Sequence, residues 1–181
     1  MNRSIQVILF FVVCVAPIAA QTSEWHFYGG DAGGTRYSNL KQINRTNVAS
    51  LKRAWTYRTG ELQLGLPTAP FQASFSSTPL VINGRLYIST PSSRVIALDA
   101  ETGTELWKYD PQETKKEREF NSHRGVAYWE SQNKSERRIL FGTVDGRLIA
   151  LNAESGKAVV GFGTAGAVDL RAGGADKFKQ D

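Results

Sequence analysis

The chain has 181 residues, 41% of them apolar, which is long enough for one domain with a buried core and too short for a closed ring of 53-residue units. Its formal charge of +5 comes from basic residues mixed with acids, as in Glu113-Thr-Lys-Lys-Glu-Arg-Glu119, which reads as a solvated loop. No basic stripe carries interleaved aromatics, so nucleic acid is excluded as a partner.

In chain order, the first segment is a leader. Arg3 supplies a positive start, Ile5 to Ala16 an apolar core too short for a membrane span, and Pro17-Ile-Ala-Ala20 the small residues of a cleavage site. Residues 1–20 are therefore expected to be removed in export, giving a periplasmic or secreted chain that starts at Gln21. The competing reading is an uncleaved anchor, which would leave the protein membrane-associated. The single cysteine, Cys14, lies inside this leader, so the mature chain has no disulfide, thiol nucleophile or cysteine metal ligand.

Residues 21–181 form the expected domain. Leu51 to Thr59 reads as an outer strand, because Trp55-Thr-Tyr57 precedes Trp107-Lys-Tyr109 by 52 residues. Thr78 to Ile82, Arg85 to Ser89, Arg94 to Asp99 and Thr104 to Tyr109 read as four strands, with Asn83-Gly84 and Thr90-Pro-Ser-Ser93 as the first two turns. A second set follows: Gly125 to Trp129, Arg138 to Gly142, Arg147 to Asn152 and Lys157 to Gly161, with an exposed polar loop at Glu130 to Glu136 and a turn at Asp145-Gly146. Beyond Phe162 the chain turns rich in Gly and Ala, and Asp176 to Asp181 is polar.

The two sets are copies. Arg94-Val-Ile-Ala-Leu-Asp-Ala-Glu-Thr-Gly103 and Arg147-Leu-Ile-Ala-Leu-Asn-Ala-Glu-Ser-Gly156 lie 53 residues apart and agree at seven of ten positions. Repeats of four antiparallel strands, at about 78–109 and 125–161, predict an all-β fold built from β-propeller blades. Neither unit can bury both sheet faces alone, so the chain is expected to be part of a larger ring.

Ala97-Leu-Asp-Ala-Glu-Thr-Gly-Thr-Glu-Leu-Trp107 is the most specific string. Asp99 and Thr102 can hydrogen-bond across the turn, Gly103 permits the reversal, and Trp107 offers a flat face to dock on the next blade. This segment resembles the tryptophan-docking motif of the pyrroloquinoline quinone (PQQ) dehydrogenases, which are eight-bladed propellers. In the second copy Asn152, Ser155 and Val160 replace Asp, Thr and Trp, which implies weaker docking there. The stretch from Trp25 through Tyr28-Gly-Gly-Asp31 and Gly34-Thr-Arg-Tyr-Ser38 to Ala54-Trp55 is similar to the opening of these enzymes. Arg124-Gly-Val-Ala-Tyr-Trp129 resembles their second-blade strand. Arg137-Arg138 with Asp145-Gly-Arg-Leu-Ile-Ala150 is similar to the glucose and quinate dehydrogenase branch.

The resemblance implies oxidation of a sugar, polyol or alcohol hydroxyl, with electrons passed to a membrane quinone or cytochrome c. It implies PQQ as cofactor and a divalent metal, usually calcium, whose ligands would lie beyond Asp181 together with the catalytic aspartate; the catalytic residues are thus unknown within this chain. An anionic tricarboxylate calls for guanidinium partners, and the arginine of the second-blade motif makes that contact in the family, which singles out Arg124. His123 is a weaker candidate, because the glucose branch carries a histidine slightly earlier than this. Ser76 stands where the family places a PQQ-contacting glutamate, two residues before Thr78-Pro79. No adjacent cysteines precede Arg124, which favours the sugar or polyol branch over the methanol and ethanol branch.

The alternative function is a non-enzymatic propeller scaffold for envelope protein assembly, which would need neither the Arg124 motif nor the Trp25 to Trp55 opening. The glycines of Gly29-Gly-Asp-Ala-Gly-Gly34 read as a turn, since no strand and helix flank them and no phosphate-binding lysine follows. His26 and His123 lack a metal-ligand spacing.

Overall fold

The computed structural model describes residues 24–64 and 74–172, so the expected leader at 1–20 and the polar end at 176–181 lie outside the described residues. Ten strands are described: β1 (Phe75–Thr78), β2 (Leu80–Ile82), β3 (Arg85–Ser89), β4 (Val95–Asp99), β5 (Glu105–Tyr109), β6 (His123–Gly125), β7 (Ala127–Glu130), β8 (Arg137–Gly142), β9 (Arg147–Asn152) and β10 (Ala167–Asp169). They make two four-stranded antiparallel sheets, β2-β3-β4-β5 and β7-β8-β9-β10, and one parallel pair, β1-β6. The two larger sheets are the blades expected from the repeat.

Turn chemistry sets the first blade. Asn83 and Gly84 both take positive φ, at 50° and 71°, which matches the right-handed twist of β2 and β3. Beyond β3, Thr90 and Arg94 close the next turn through a Thr90 N to Arg94 O hydrogen bond of 2.9 Å. Asp99 Oδ1 accepts from Thr102 N and Thr102 Oγ1, each at 2.8 Å, and these bonds hold its carboxyl below the usual carboxylate range. Asn152 accepts from Ser155 N and Oγ at 2.9 and 3.0 Å, so the second copy keeps the same turn with neutral partners.

Two expected strands are each split into two. The stretch 78–82 divides at Pro79, which has no N–H to give a ladder, so β1 leaves the blade and pairs with β6 while β2 begins at Leu80. Its counterpart in the second blade divides after Gly125, whose φ of 140° turns the chain out of one sheet and into the other.

The fourth strand of the second blade also differs from expectation. Lys157 to Gly161 contributes only an isolated bridge, Leu151 to Ala158; the chain then loops out and returns as β10, which pairs Ala167 to Asp169 with Ile149 to Arg147. The Gly- and Ala-rich stretch therefore carries the outer strand, because its small residues allow the tight excursion at Gly163 and Gly166, both at positive φ.

Apolar faces meet between the blades. Leu80, Ile82, Tyr87, Val95, Ala97 and Trp107 from the first sheet pack with Ile139, Phe141, Ile149, Leu151 and Ala153 from the second. On the opposite side of the first blade, Ile88, Ile96 and Leu98 are covered by Trp55 and Tyr57. Leu51 to Thr59 joins no ladder among the described residues, contrary to the strand expected there. Its aromatic side chains nonetheless dock as Trp107 does. Trp55 Nε1 donates to Ala100 O at 3.2 Å, and Trp107 Nε1, 52 residues on, donates to Ala153 O at 3.0 Å. Each indole lies flat on a turn glycine: a Cβ on Gly103 would meet Trp55 at 2.5 Å, and one on Gly156 would meet Trp107 at 2.6 Å. Glycine is thus required at both positions by positive φ and by the ring above it.

Candidate functional site

Ser76, His123 and Arg124, separated by up to 48 residues in sequence, lie on the same two-stranded sheet. Strands β1 and β6 pair in parallel, with Phe75 opposite His123 and Thr78 opposite Gly125, and the register shifts between those points. A chain of hydroxyls crosses the pair. Ser74 N donates to Ser122 Oγ at 3.1 Å, Ser74 Oγ lies 3.0 Å from Ser122 Oγ, and Ser74 Oγ lies 2.7 Å from Ser76 Oγ. Ser77 points the other way, accepting from Ser89 N and Ser89 Oγ at 3.2 Å, which ties β1 to the first blade.

Consecutive residues of a strand point to opposite faces, and β6 follows that rule. Arg124 is exposed and lines a cleft of about 430 Å³ with Tyr28, Thr78, Leu80, Gly125 and Val126. Among the described residues its guanidinium has neither a hydrogen-bond acceptor nor an ion-pair partner. His123 does not line this cleft. Its ring packs against Phe141, with centroids 6.3 Å apart, and its Nε2 lies 2.7 Å from Gly142 O at the end of β8. Gly125 brings the two strands close, because a Cβ there would stand 3.1 Å from Thr78 O.

A free guanidinium beside an apolar wall, with an exposed serine hydroxyl on the neighbouring strand, suits a flat ligand that carries carboxylates. The Arg124 guanidinium is the kind of donor that a carboxylate-bearing cofactor needs, whereas Ser76 does not line the cleft. No cluster of three or more His, Cys, Asp or Glu side chains placed to hold a metal ion occurs among the described residues, so no metal ligand is assigned.

A second polar cluster carried no signal in the sequence. Glu61 and Arg94, both buried, form an ion pair; Arg94 Nε donates to Glu61 Oε1 at 3.1 Å and Arg94 Nη2 to Thr59 O at 2.6 Å. Ser92 donates to the same carboxylate through N and Oγ, each at 3.0 Å. Buried Gln112 donates from Nε2 to Ser92 O at 2.9 Å and to Glu119 O at 2.8 Å, and Asn121 N donates to Pro91 O at 2.8 Å. The turn Thr90 to Arg94 is thus the hub on which both the segment before the first blade and the loop leading to β6 are fastened. That loop, expected to be simply solvated, is pinned at Gln112 and by an Arg118 to Asp110 ion pair of 2.8 Å.

Comparison with known proteins supplies the family. Residues 25–181 match the model of the "PQQ: Glucose/ethanol/alcohol dehydrogenase, beta-propeller domain". The chain is 38% identical over 167 residues to quinoprotein glucose dehydrogenase of Escherichia coli K12, covering 87% of this chain and 20% of that protein. It is 36% identical to quinate/shikimate dehydrogenase (quinone) of Acinetobacter baylyi, covering 90% of this chain and 22% of that protein. Among solved structures, the quinohemoprotein alcohol dehydrogenase of Comamonas testosteroni superposes with a TM-score of 0.63 at 35% identity, over 86% of this chain and 20% of that one. The chain spans about a fifth of the length of these relatives. With paired blades, docked tryptophans and a match running from Trp25 onward, it belongs to the PQQ-dependent glucose/ethanol/alcohol dehydrogenase β-propeller family.

Proposed function

We propose that this chain supplies the cofactor-holding part of an exported PQQ-dependent dehydrogenase that oxidises a sugar, polyol or alcohol hydroxyl and passes the electrons to a membrane quinone or a cytochrome. The observation that carries the reading is the Arg124 guanidinium, unpartnered among the described residues, in the cleft it lines with Tyr28, Thr78, Leu80, Gly125 and Val126. Bound PQQ is the electron acceptor for the alcohol carbon, chemistry that belongs to the cofactor. The protein's part is to bind and orient it. Arg124 holds a carboxylate by its planar fork, Ser76 offers a neutral hydroxyl where a glutamate is expected, and Leu80 and Val126 supply an apolar wall beside the guanidinium. In this reading a calcium ion would be held by residues beyond Asp181 and would supply Lewis-acid polarisation of the cofactor. Export by residues 1–20 belongs to the same reading, and among the described residues no helix is long and apolar enough to cross a membrane.

Titration of the purified chain with PQQ, followed by quenching of its tryptophan fluorescence, tests this. Arg124→Ala is expected to weaken binding by about 1.5–3 kcal/mol, the range for a hydrogen bond to a charged group, or roughly tenfold or more. Equal affinity of the two proteins overturns the reading.

A further inference from the structure

We propose that His123 is a positioning residue for Arg124: its imidazole, fixed as the Nε2–H tautomer on the Gly142 carbonyl, clamps β6 to the second blade and thereby aims Arg124 into the cleft. The inference rests on the role given to Arg124 above.

Strand β6 has only three residues and one partner strand, and its register with that partner is irregular. A ladder this short cannot fix the direction of a side chain by itself. Anchors outside the ladder do so. Asn121 N binds Pro91 O and Ser122 Oγ accepts from Ser74 N, so the approach to β6 is held by the first blade and by β1. His123 is the residue of β6 whose side chain reaches the second blade, through Nε2 to Gly142 O at 2.7 Å.

The tautomer follows from the partner. A carbonyl oxygen only accepts, so Nε2 carries a proton, and in the neutral ring that tautomer has Nδ1 as a bare acceptor. That Nδ1 is buried and has no partner among the described residues. An unpaired buried acceptor is a cost that an apolar side chain packed on Phe141 would not incur. The arrangement therefore makes sense as the retention of one donor, the Nε2–H, at a place where it ties two elements together. Because His123 and Arg124 are neighbours on opposite faces, fixing the rotation of the strand at the first sets the direction of the second.

The test compares His123→Leu, His123→Gln, Arg124→Ala and the His123→Leu/Arg124→Ala double variant of the full chain. Without cofactor, His123→Leu is expected to speed amide exchange of residues 123–125 and to lower the order of the Arg124 side chain in nitrogen relaxation. His123→Gln, which restores an N–H donor of similar reach, is expected to leave both unchanged. With PQQ, His123→Leu weakens binding about tenfold, a loss of the order of one hydrogen bond's net contribution. In the Arg124→Ala background the same change has no further effect, since a residue that acts through Arg124 has nothing left to position. Additive losses, or unchanged exchange and order in His123→Leu, overturn the proposal. If Arg124→Ala binds PQQ as the parent does, the functional reading fails by itself; the clamp is still decided by the cofactor-free measurements and by the nitrogen shifts of the His123 ring, where a protonated Nδ1 refutes it.

Discussion

The two blades share a phrase and a turn but secure them differently. Offset by 53 residues, Ser92, Ser93 and Arg94 of the first blade correspond to Asp145, Gly146 and Arg147 of the second. In the second blade the turn is self-sufficient: Arg147 pairs with Asp145 at 2.9–3.1 Å, Thr143 donates to the same carboxylate, and Gly146 takes the positive φ at no steric cost. In the first blade a serine replaces the aspartate, and Arg94 takes its carboxylate from Glu61, far back in the chain. One arginine therefore closes a local loop and the other fastens a distant segment. A repeated residue type does not imply a repeated partner; burial decides, since Glu61 and Arg94 are 4% and 6% exposed while the Asp145 pair is about one-third exposed.

The same contrast separates the segments that follow the two copies of the repeated phrase. Trp107 docks on the next blade and is 8% exposed, whereas Val160, at the matching position of the repeat, is 78% exposed. Trp107→Ala should lose about 3–5 kcal/mol, as for truncation of a buried aromatic, while Val160→Ala should stay within about 0.5 kcal/mol. Denaturant unfolding of the two variants checks this, and comparable losses would show that the two segments are held alike.

Glu61→Gln leaves Arg94 as a buried charge without its counterion, and about 3 kcal/mol of destabilisation is expected. Asp145→Asn breaks a half-buried, solvent-screened pair and should lose only about 0.2–1 kcal/mol. If the two losses prove equal, the distinction between a distant fastening and a local one collapses.

The smallest expected effect is on pH. Burial opposes ionisation of Asp145, but hydrogen bonds from Arg147 and Thr143 outweigh it and hold the carboxyl below its usual 3.8. A carboxyl depressed in the folded state contributes stability above its unfolded value, and that contribution is lost as pH falls through the folded value. Amide exchange at Gly146 and Arg147 should therefore quicken on acidification below pH 3.8 in the parent chain and not in Asp145→Asn. Identical profiles would remove Asp145 from the account.

Much of this was legible in the residues. Asn83-Gly84, Asp99 with Thr102, and the glycines at 103 and 156 act within a few residues of themselves, so their turns and the blade repeat follow from local chemistry. The docking of Trp107 was also readable, because a motif of eleven residues carries it. The candidate residues Ser76, His123 and Arg124 could be singled out one by one but not as neighbours on one sheet, since the parallel pairing of β1 with β6 has no local signature. The excursion before β10 was hidden because Gly- and Ala-rich sequence carries little strand signal of its own.

By itself, then, the amino-acid sequence determined the blade: its period, its turns and the residues that face inward, all of which depend on alternation and on φ preferences over short spans. Only the tertiary structure decided which long-range partners complete it. Glu61 reaches Arg94, Trp55 covers Gly103, His123 binds Gly142 O, and the strand of Ser76 comes to pair with the strand of Arg124. The physical reason is that each of these contacts is fixed by burial and by an unsatisfied donor or acceptor finding its counterpart in space, and neither quantity exists until the sheets have packed.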